Sequence, residues 1–370
     1  MIMNNIEENK LNFFIKKKNI KNILLITGKK SLNFSGFKKL LIYRNFKSIM
    51  KIFYKKREIP EISELKFLIK KINNINPDLI IALGGGCVID YAKLANTLYD
   101  TKNLEKKIIE DKLNLKSKKT QILAIPTTAG SGAEVTKFSV IYINKIKYSV
   151  ENNLLKPDFY SLIPKLVINS PKIIRASSGF DAIAQAVESI FSKKGNFDSL
   201  KYSSKSLKLS IKIFLKFVNN PSLHNSSRML KAANLSGKAI NISRTNAPHA
   251  FSYLFSSRYK ILHGIAVSIF FIEIINLYYS TAVKERDINL IKKFSVFFKL
   301  IKQNNIIEFN NLFQDFFLKS GIKKYLYKFL KNIKYKDCFD FYVNLRRIKN
   351  SPIKINKNEV SRLYLNKFYI

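Results

Sequence analysis

The chain contains three histidines, and two of them stand fourteen residues apart in small-residue settings, His249 in NAPHAFSY and His263 in ILHGIAVS. Upstream, GFDAIAQAVESIF sets Asp181, Gln185 and Glu188 at i, i+4 and i+7 on one helical face. Phe180, Ile183, Ala184, Val187 and Phe191 form its apolar stripe. Taken alone, the polar face reads as solvated. Beside two imidazoles it changes meaning: Asp181, His249 and His263 make a three-ligand set for Zn2+ or Fe2+ that leaves a position open for a substrate oxygen. The plain alternative for either histidine is a hydrogen-bonded core residue. His224, in PSLHNSS, reads as a surface residue.

A second kind of chemistry is written in PDLIIALGGGCVIDYAKLANTLY, where an apolar strand runs into Gly84, Gly85 and Gly86 and then into an amphipathic helix. Glycines at such a turn let the backbone approach a pyrophosphate, and the helix N-terminus offers N–H donors and the positive end of a dipole. The spacing is not GxGxxG, and a lone triplet serves as a tight turn as readily as a phosphate cradle. A further loop shifts the balance. PTTAGSGAEVT, residues 126–136, follows another apolar run and carries hydroxyls at Thr127, Thr128, Ser131 and Thr136 with glycines at Gly130 and Gly132. Two polar, glycine-bearing loops at the carboxyl ends of parallel strands form the usual nucleotide site of an α/β sheet.

The elements that must position these residues fall into two textures. Residues 22–27 (NILLIT), 48–54, 78–83 (DLIIAL) and 121–125 (QILAI) are short apolar runs closed by Gly, Pro or Ser, alternating with amphipathic stretches. That pattern predicts an α/β domain with a Rossmann-like parallel sheet over residues 1–165. Beyond Pro171, residues 179–192, 201–218, 227–242, 264–279 and the region from Ile288 onward keep a helical period with few turn signals. They predict an all-α domain over 166–370, the boundary being marked by Pro157, Pro164 and Pro171. A chain of 370 residues suits two cores.

Sixty-six Lys and Arg against 25 Asp and Glu give a formal charge of +41, which raises nucleic acid or an anionic membrane as partners. The lysines are scattered among Ile, Asn and Phe, and no basic helix, zinc finger or RNA-binding signature organises them, so neither partner is expected. Cys87 and Cys338 are too few for a disulfide framework and suit a reducing compartment. The first ten residues carry Glu7 and Glu8 and no apolar signal core. The apolar run 266–283 is broken by Glu273 and Asn276 and is short for a bilayer span of about 20 residues, so it predicts a buried helix. A soluble, cytoplasmic protein is expected.

In this order, LGGGCVIDYAK, IPTTAGSGAEVT, GFDAIAQAVES, HAFSY and LHG resemble the iron-containing alcohol dehydrogenase family, from ILLITGKKS at Ile23 to RRIKNSP near Arg346. The resemblance implies the dehydroquinate synthase-like fold, an N-terminal nucleotide-binding α/β domain and a helical domain with a metal in the cleft between them. It implies a metal-dependent, NAD- or NADP-dependent alcohol dehydrogenase or aldehyde reductase. Gly84, Gly85, Gly86, Cys87 and Asp90 then match the glycine loop around the cofactor, Thr127, Thr128 and Ser131 match the second loop, and Lys147 matches a lysine near the cofactor. Asp181, His249 and His263 match three metal ligands.

Four departures from the family pattern carry expectations of their own. Cys87 replaces the usual Ser, a modest change where backbone N–H groups hold the phosphate. Gln185 stands where a fourth histidine ligand is usual, and its amide oxygen is a weaker donor, so the metal is Fe2+ or Zn2+. Tyr253 replaces a further histidine four residues after the first metal histidine and becomes a candidate proton donor beside the cofactor ribose and water. Lys55, in YKKREIP, stands where an acidic residue would accept the ribose 2′-OH, so Lys55, Lys56 and Arg57 favour NADP(H). Gln185, RTNAPHAFSY and HGIAVS together resemble most the branch that includes phosphonoacetaldehyde reductases. That branch implies a small, anionic aldehyde reduced to a primary alcohol such as 2-hydroxyethylphosphonate, with Arg244, Arg258 and Lys260 as the nearest cations, and a homodimer. Competing expectations are a sugar-phosphate cyclase resembling dehydroquinate synthase and a non-catalytic basic binding protein on the same fold.

Overall fold

The computed structural model describes residues 4–330, 345–356, 358–359 and 361–363; Cys338 lies outside them. The chain forms two units, Met1–Ser170 with Ser222–Leu230, and Pro171–Pro221 with Lys231–Ile370.

Among the described residues the first unit holds eight strands: β1 (Asn4–Asn5), β2 (Ile23–Gly28), β3 (Met50–Lys55), β4 (Leu79–Gly84), β5 (Gln121–Pro126), β6 (Phe138–Ile143), β7 (Ile146–Glu151) and β8 (Phe159–Tyr160). Six form one all-parallel sheet in the order β1-β8-β5-β4-β2-β3. Successive residues point to opposite faces, and here both faces are covered. Leu24, Ile26, Ile80, Ala82, Ile122 and Ala124 enter one core. Ile23, Leu25, Leu79, Ile81, Leu123 and Ile125 enter the other. This double burial is why the strands read as unbroken apolar runs. Helices α1 (Leu11–Lys17), α2 (Lys29–Phe34), α3 (Leu41–Phe46), α4 (Ile62–Ile75), α5 (Gly86–Thr97), α6 (Leu104–Ile109) and α7 (Lys165–Ile168) complete the unit. Of these, α4 buries Ile62, Leu65, Leu68 and Ile72, a stripe at helical spacing.

Because β3 lies outside β2 while β4 lies on its other side, the direction of winding reverses between β2 and β4. The crevice beyond the carboxyl ends of such a pair is where α/β sheets take their ligands. The glycine loop after Gly84 opens there.

The hairpin β6-β7 was not legible beforehand. Its turn residues Asn144 and Lys145 both take positive φ, 49° and 65°, as a two-residue hairpin demands, but an Asn-Lys pair lacks the glycine that usually announces it. The two-residue strands β1 and β8 were likewise too short to show a pattern. The units divide at Ser170 and Pro171 rather than at 165 and 166, because α7 stays with the first unit and buries Leu166 in its core.

Among the described residues every element after Pro171 is a helix: α8 (Lys172–Phe191), α9 (Phe197–Asn219), α10 (Leu223–Ser243), α11 (Ala247–Ser257), α12 (His263–Ser268), α13 (Phe271–Lys284), α14 (Ile288–Ile301), α15 (Ile306–Ser320), α16 (Ile322–Leu330) and the short helix Leu345–Ile348. Phenylalanine supplies much of the core. Phe180 meets Phe271 at 5.1 Å and Phe317 at 5.0 Å, and Phe191 meets Phe294 at 4.5 Å. Each such pair contributes about 0.5–1.5 kcal/mol beyond area burial. The run expected as one helix over 264–279 is two, broken at Ile269 and Phe270. By length and hydropathy His263–Lys284 could cross a bilayer, yet 61% of its apolar window is buried inside the protein, as in a core helix.

Candidate metal centre

Helix α8 is buried on nearly every side from Arg175 to Phe191, so the face carrying Asp181, Gln185 and Glu188 is not solvated, contrary to its first reading. Asp181 is 5% exposed, Gln185 3% and Glu188 0%, and polar groups so placed require partners. His249 meets both Asp181 and Glu188, and His263 approaches Asp181. His249 sits in the first turn of α11 behind Pro248, and His263 is the first residue of α12.

Donor atoms of Asp181, His249 and His263 all lie within 4.8 Å of one another. Asp181 Oδ1 stands 3.1 Å from His249 Nε2 and 4.0 Å from His263 Nε2. Ligand atoms bound about 2.0–2.2 Å from one tetrahedral ion sit at comparable separations. Chemistry supports the same fit. His249 Nδ1 is committed to the Glu188 carboxylate, so in the neutral ring Nε2 presents a lone pair toward the carboxylate oxygen of Asp181. Two facing lone pairs need a proton or a cation between them. Burial pulls the His249 pKa down, but the carboxylates of Glu188 and Asp181 overcome it and the net shift is upward. A divalent ion would take the place of that proton. His263 is 38% exposed at its side chain, which gives the group one open side.

Glu188 is the residue whose role the first reading missed. Its Oε1 accepts from the backbone N–H of Asn246 at 2.9 Å and of His249 at 3.2 Å, while Oε2 faces His249 Nδ1. It therefore caps the N-terminus of α11 and orients the imidazole together. Asn246 Nδ2 donates back to the Glu188 carbonyl at 2.9 Å, and Tyr278 Oη donates to Asn246 Oδ1 at 3.2 Å. A usable signal was present: Asp181 and Glu188 are the only charges between Ala176 and Phe191, and a helix apolar all round is a buried one.

Gln185 Oε1 accepts from Ser236 Oγ at 3.0 Å. Tyr253 is buried one turn beyond His249 on α11, with the Arg347 guanidinium 5.6 Å from its ring centre. His224 is exposed as expected, in the first turn of α10.

In the first unit the two glycine-bearing loops lie side by side. Gly84 pairs in register with Pro126, and Thr127 N donates to the Gly84 carbonyl at 3.0 Å. Gly85 caps α5 and Gly86 opens it. A Cβ on Gly86 would stand 2.9 Å from Ser131 Oγ, and one on Gly85 would stand 3.3 Å from Thr128 Oγ1. Thr127 is buried, while Thr128 and Ser131 are half-buried. Burial pushes the Cys87 thiol up to about 12, so it is neutral and acts here as a serine-sized polar group. Asp90 faces inward. Its carboxylate, raised to about 6 by burial, accepts from Val140 N at 3.2 Å and lies near Lys93 and Lys147. Lys93, lowered to about 8 by burial, donates to the Ala133 carbonyl at 3.1 Å and Thr136 Oγ1 at 3.3 Å. Asp90 and Lys93 thus brace the second loop and hairpin on α5. Gly86→Ala should crowd Ser131 and weaken binding of NADH or NADPH about tenfold, read by quenching of cofactor fluorescence; unchanged affinity would remove this loop from the cofactor site.

Two family models match the chain: iron-containing alcohol dehydrogenase over residues 2–164, and the C-terminal part of the Fe-containing alcohol dehydrogenase family over 175–368. An aldehyde-alcohol dehydrogenase of Streptococcus pneumoniae is 26% identical over 273 residues, 70% of this chain and 31% of that protein. A 4-hydroxybutyrate dehydrogenase of Clostridium kluyveri is 29% identical over 235 residues, 62% of each. The chain thus spans between about a quarter and three fifths of the curated relatives it matches. A sulfoacetaldehyde reductase from Bifidobacterium kashiwanohense, solved with NAD+, superposes with a TM-score of 0.84 at 20% identity, covering 100% of this chain and 99% of that one. At that identity the likeness shows the fold.

Proposed function

From the premise that this chain belongs to the iron-containing alcohol dehydrogenase family, we propose that it is a metal-dependent aldehyde reductase using NADH or NADPH. The observation that carries this reading is the group Asp181, His249 and His263, three donors with one open side. When bound there, Fe2+ or Zn2+ polarises a substrate carbonyl, and a nicotinamide supplies the hydride. Asp181 contributes the anionic donor. Glu188 fixes the tautomer of His249. The N-terminus of α5, with Gly85 and Gly86, receives the cofactor pyrophosphate. Tyr253 is the hydroxyl we assign to return a proton to the product oxygen.

Two finer readings go with it. The substrate is a small aldehyde that carries an anionic group, in keeping with the sulfoacetaldehyde reductase among the structural neighbours. NADPH is the preferred donor, because Lys55 ends β3 opposite Gly28 at the edge of the nucleotide crevice. The loop after β3 is held for this by Glu64, which accepts from Arg57 N at 3.1 Å and from Tyr91 Oη at 2.9 Å. Lys55→Asp should shift the NADPH to NADH ratio of kcat/KM by about 10- to 100-fold toward NADH, the usual weight of a charged hydrogen bond.

The test is direct. Metal-free protein is loaded separately with Fe2+ and Zn2+, and oxidation of NADH and NADPH is followed with phosphonoacetaldehyde, sulfoacetaldehyde and simple aldehydes. Turnover that requires metal supports the reading; silence in every combination rejects it. Phosphate release without net NADH change would instead favour a cyclase.

A further inference from the structure

The short helix Leu345–Ile348 is followed by Asn350, which is fixed to the elements that carry the three-donor group. Asn350 Nδ2 donates to the carbonyls of Ser243 and Thr245 at 2.9 and 3.0 Å, and its Oδ1 accepts from Ser192 Oγ at 3.0 Å. Thr245 and Asn246 lead directly into α11, so this segment is anchored at the N-terminus of the helix that carries His249. From it Arg347 reaches back. Its Nη1 donates to Thr245 Oγ1, and its guanidinium carbon lies 5.6 Å from the centre of the Tyr253 ring. Both supports are buried, Thr245 at 2% and Tyr253 at 4% exposure.

Tyr253 follows His249 by one helical turn, which sets their Cβ atoms about 5–6 Å apart on one face. Helical aromatic side chains lean toward the N-terminus, here over the turn that carries His249. The Arg347 guanidinium thus lies against Tyr253, the residue one turn beyond His249 on α11. The cations suggested by sequence proximity are less suited: Arg258 and Lys260 are exposed, and Arg244 follows α10 on a left-handed residue with φ 61°.

We propose that Arg347 binds the anionic end of the substrate, an aldehyde bearing a phosphonate or sulfonate on the carbon next to the carbonyl. The inference rests on the aldehyde reductase reading and adds the residue that selects the substrate class. A guanidinium fork matches two oxygens of such a group, and the two-carbon spacing suits a cation about one helical turn from the reacting oxygen. Tyr253 and Thr245 aim the fork before substrate arrives, which reduces the ordering that binding would otherwise require.

The experiment compares wild type, Arg347→Gln and Arg347→Lys with phosphonoacetaldehyde, sulfoacetaldehyde and propanal. Arg347→Gln should raise KM for the anionic aldehydes about 10- to 100-fold more than it raises KM for propanal, with Arg347→Lys recovering part of that difference. The two anionic substrates show which head group fits better. An independent arm titrates ethylphosphonate and ethanesulfonate into metal-free protein by calorimetry, where the Gln variant should lose affinity by the same factor. An equal loss with propanal, or a lower Tm with no substrate discrimination, would make Arg347 a structural residue and overturn the inference. Unchanged KM for both anions would overturn it as well. If wild type reduces no aldehyde, the activity reading fails, while the ethylphosphonate arm still decides whether Arg347 binds anions.

Discussion

Gly264→Ala should weaken binding of a divalent metal by the helical unit by more than about 100-fold. Gly264 follows His263 where α12 comes against α8, and a Cβ there would meet Ser177 O at 1.8 Å, Ser177 C at 2.8 Å and Asp181 Cβ at 3.1 Å. Two of the three obstacles are backbone atoms, which no rotamer change can move. Restoring ordinary contact from 1.8 Å requires α12 to retreat by roughly 1.6 Å, since ordinary contact begins at 3.4 Å. His263 must retreat with it. Metal–nitrogen bonds tolerate only about 0.2 Å around 2.0–2.1 Å, so a shift of that size removes one donor of three. Overpacking of this kind also destabilises by about 1–3 kcal/mol, a fall in Tm of several degrees. His263→Ala is the informative companion. It deletes the donor without moving the helix, so it should lose metal while keeping most of its Tm. Wild-type metal stoichiometry and affinity in Gly264→Ala, by titration of metal-free protein with Zn2+, would show that the close approach of α12 and α8 does not position His263.

Asp181, His249 and His263 could be singled out in the sequence because few side-chain types bind a metal and the chain has only three histidines, and their donor atoms do come within 4.8 Å of one another. Gly84, Gly85 and Gly86 were legible because the turn from β4 into α5 leaves no room for Cβ; on Gly84 it would stand 2.5 Å from Val88 Cγ2. The buried strands announced themselves for a similar reason, since a sheet covered on both faces cannot hide polar residues in β2, β4 or β5. What was not legible depends on distant chain segments. Glu188 looks like a solvated carboxylate until the backbone N–H groups of Asn246 and His249, some sixty residues later, are seen to point at it. Gly264 looks like an ordinary small residue until Ser177 O is found in its path. Asp90 matched a cofactor motif by position, but its partners on β6 can be known only once the hairpin is folded onto α5. Arg347 is nearly a hundred residues from Tyr253 and reaches it only because Asn350 pins its segment to Ser243 and Thr245.

Glu188→Gln should weaken Zn2+ binding about 10- to 100-fold with little change in Tm, the usual weight of a carboxylate behind a metal histidine. The substitution keeps size and shape but alters what His249 can do. In the wild type the Glu188 carboxylate only accepts, so Nδ1 of His249 donates to it and Nε2 is left with a lone pair for the metal. Glutamine cannot satisfy both of its neighbours in that way. If its oxygen stays on the N–H groups of Asn246 and His249, its NH2 faces Nδ1 and forces that nitrogen to accept. The ring proton then moves to Nε2, which points at Asp181 Oδ1 from 3.1 Å and closes the metal position with an ordinary hydrogen bond. If the amide flips to restore the Nδ1 bond, its NH2 meets two backbone donors instead. Either arrangement costs the site about one charged hydrogen bond, roughly 1.5–3 kcal/mol. Glu188→Ala should do more, because it leaves the N–H groups of Asn246 and His249 buried without their acceptor and so lowers Tm as well as metal affinity. Co2+ as a spectroscopic probe separates the two effects, since its visible bands report coordination directly while melting reports the helix cap. A Gln variant whose Co2+ spectrum and Zn2+ affinity stay within twofold of wild type would mean that Glu188 serves α11 alone and leaves the tautomer of His249 to some other group.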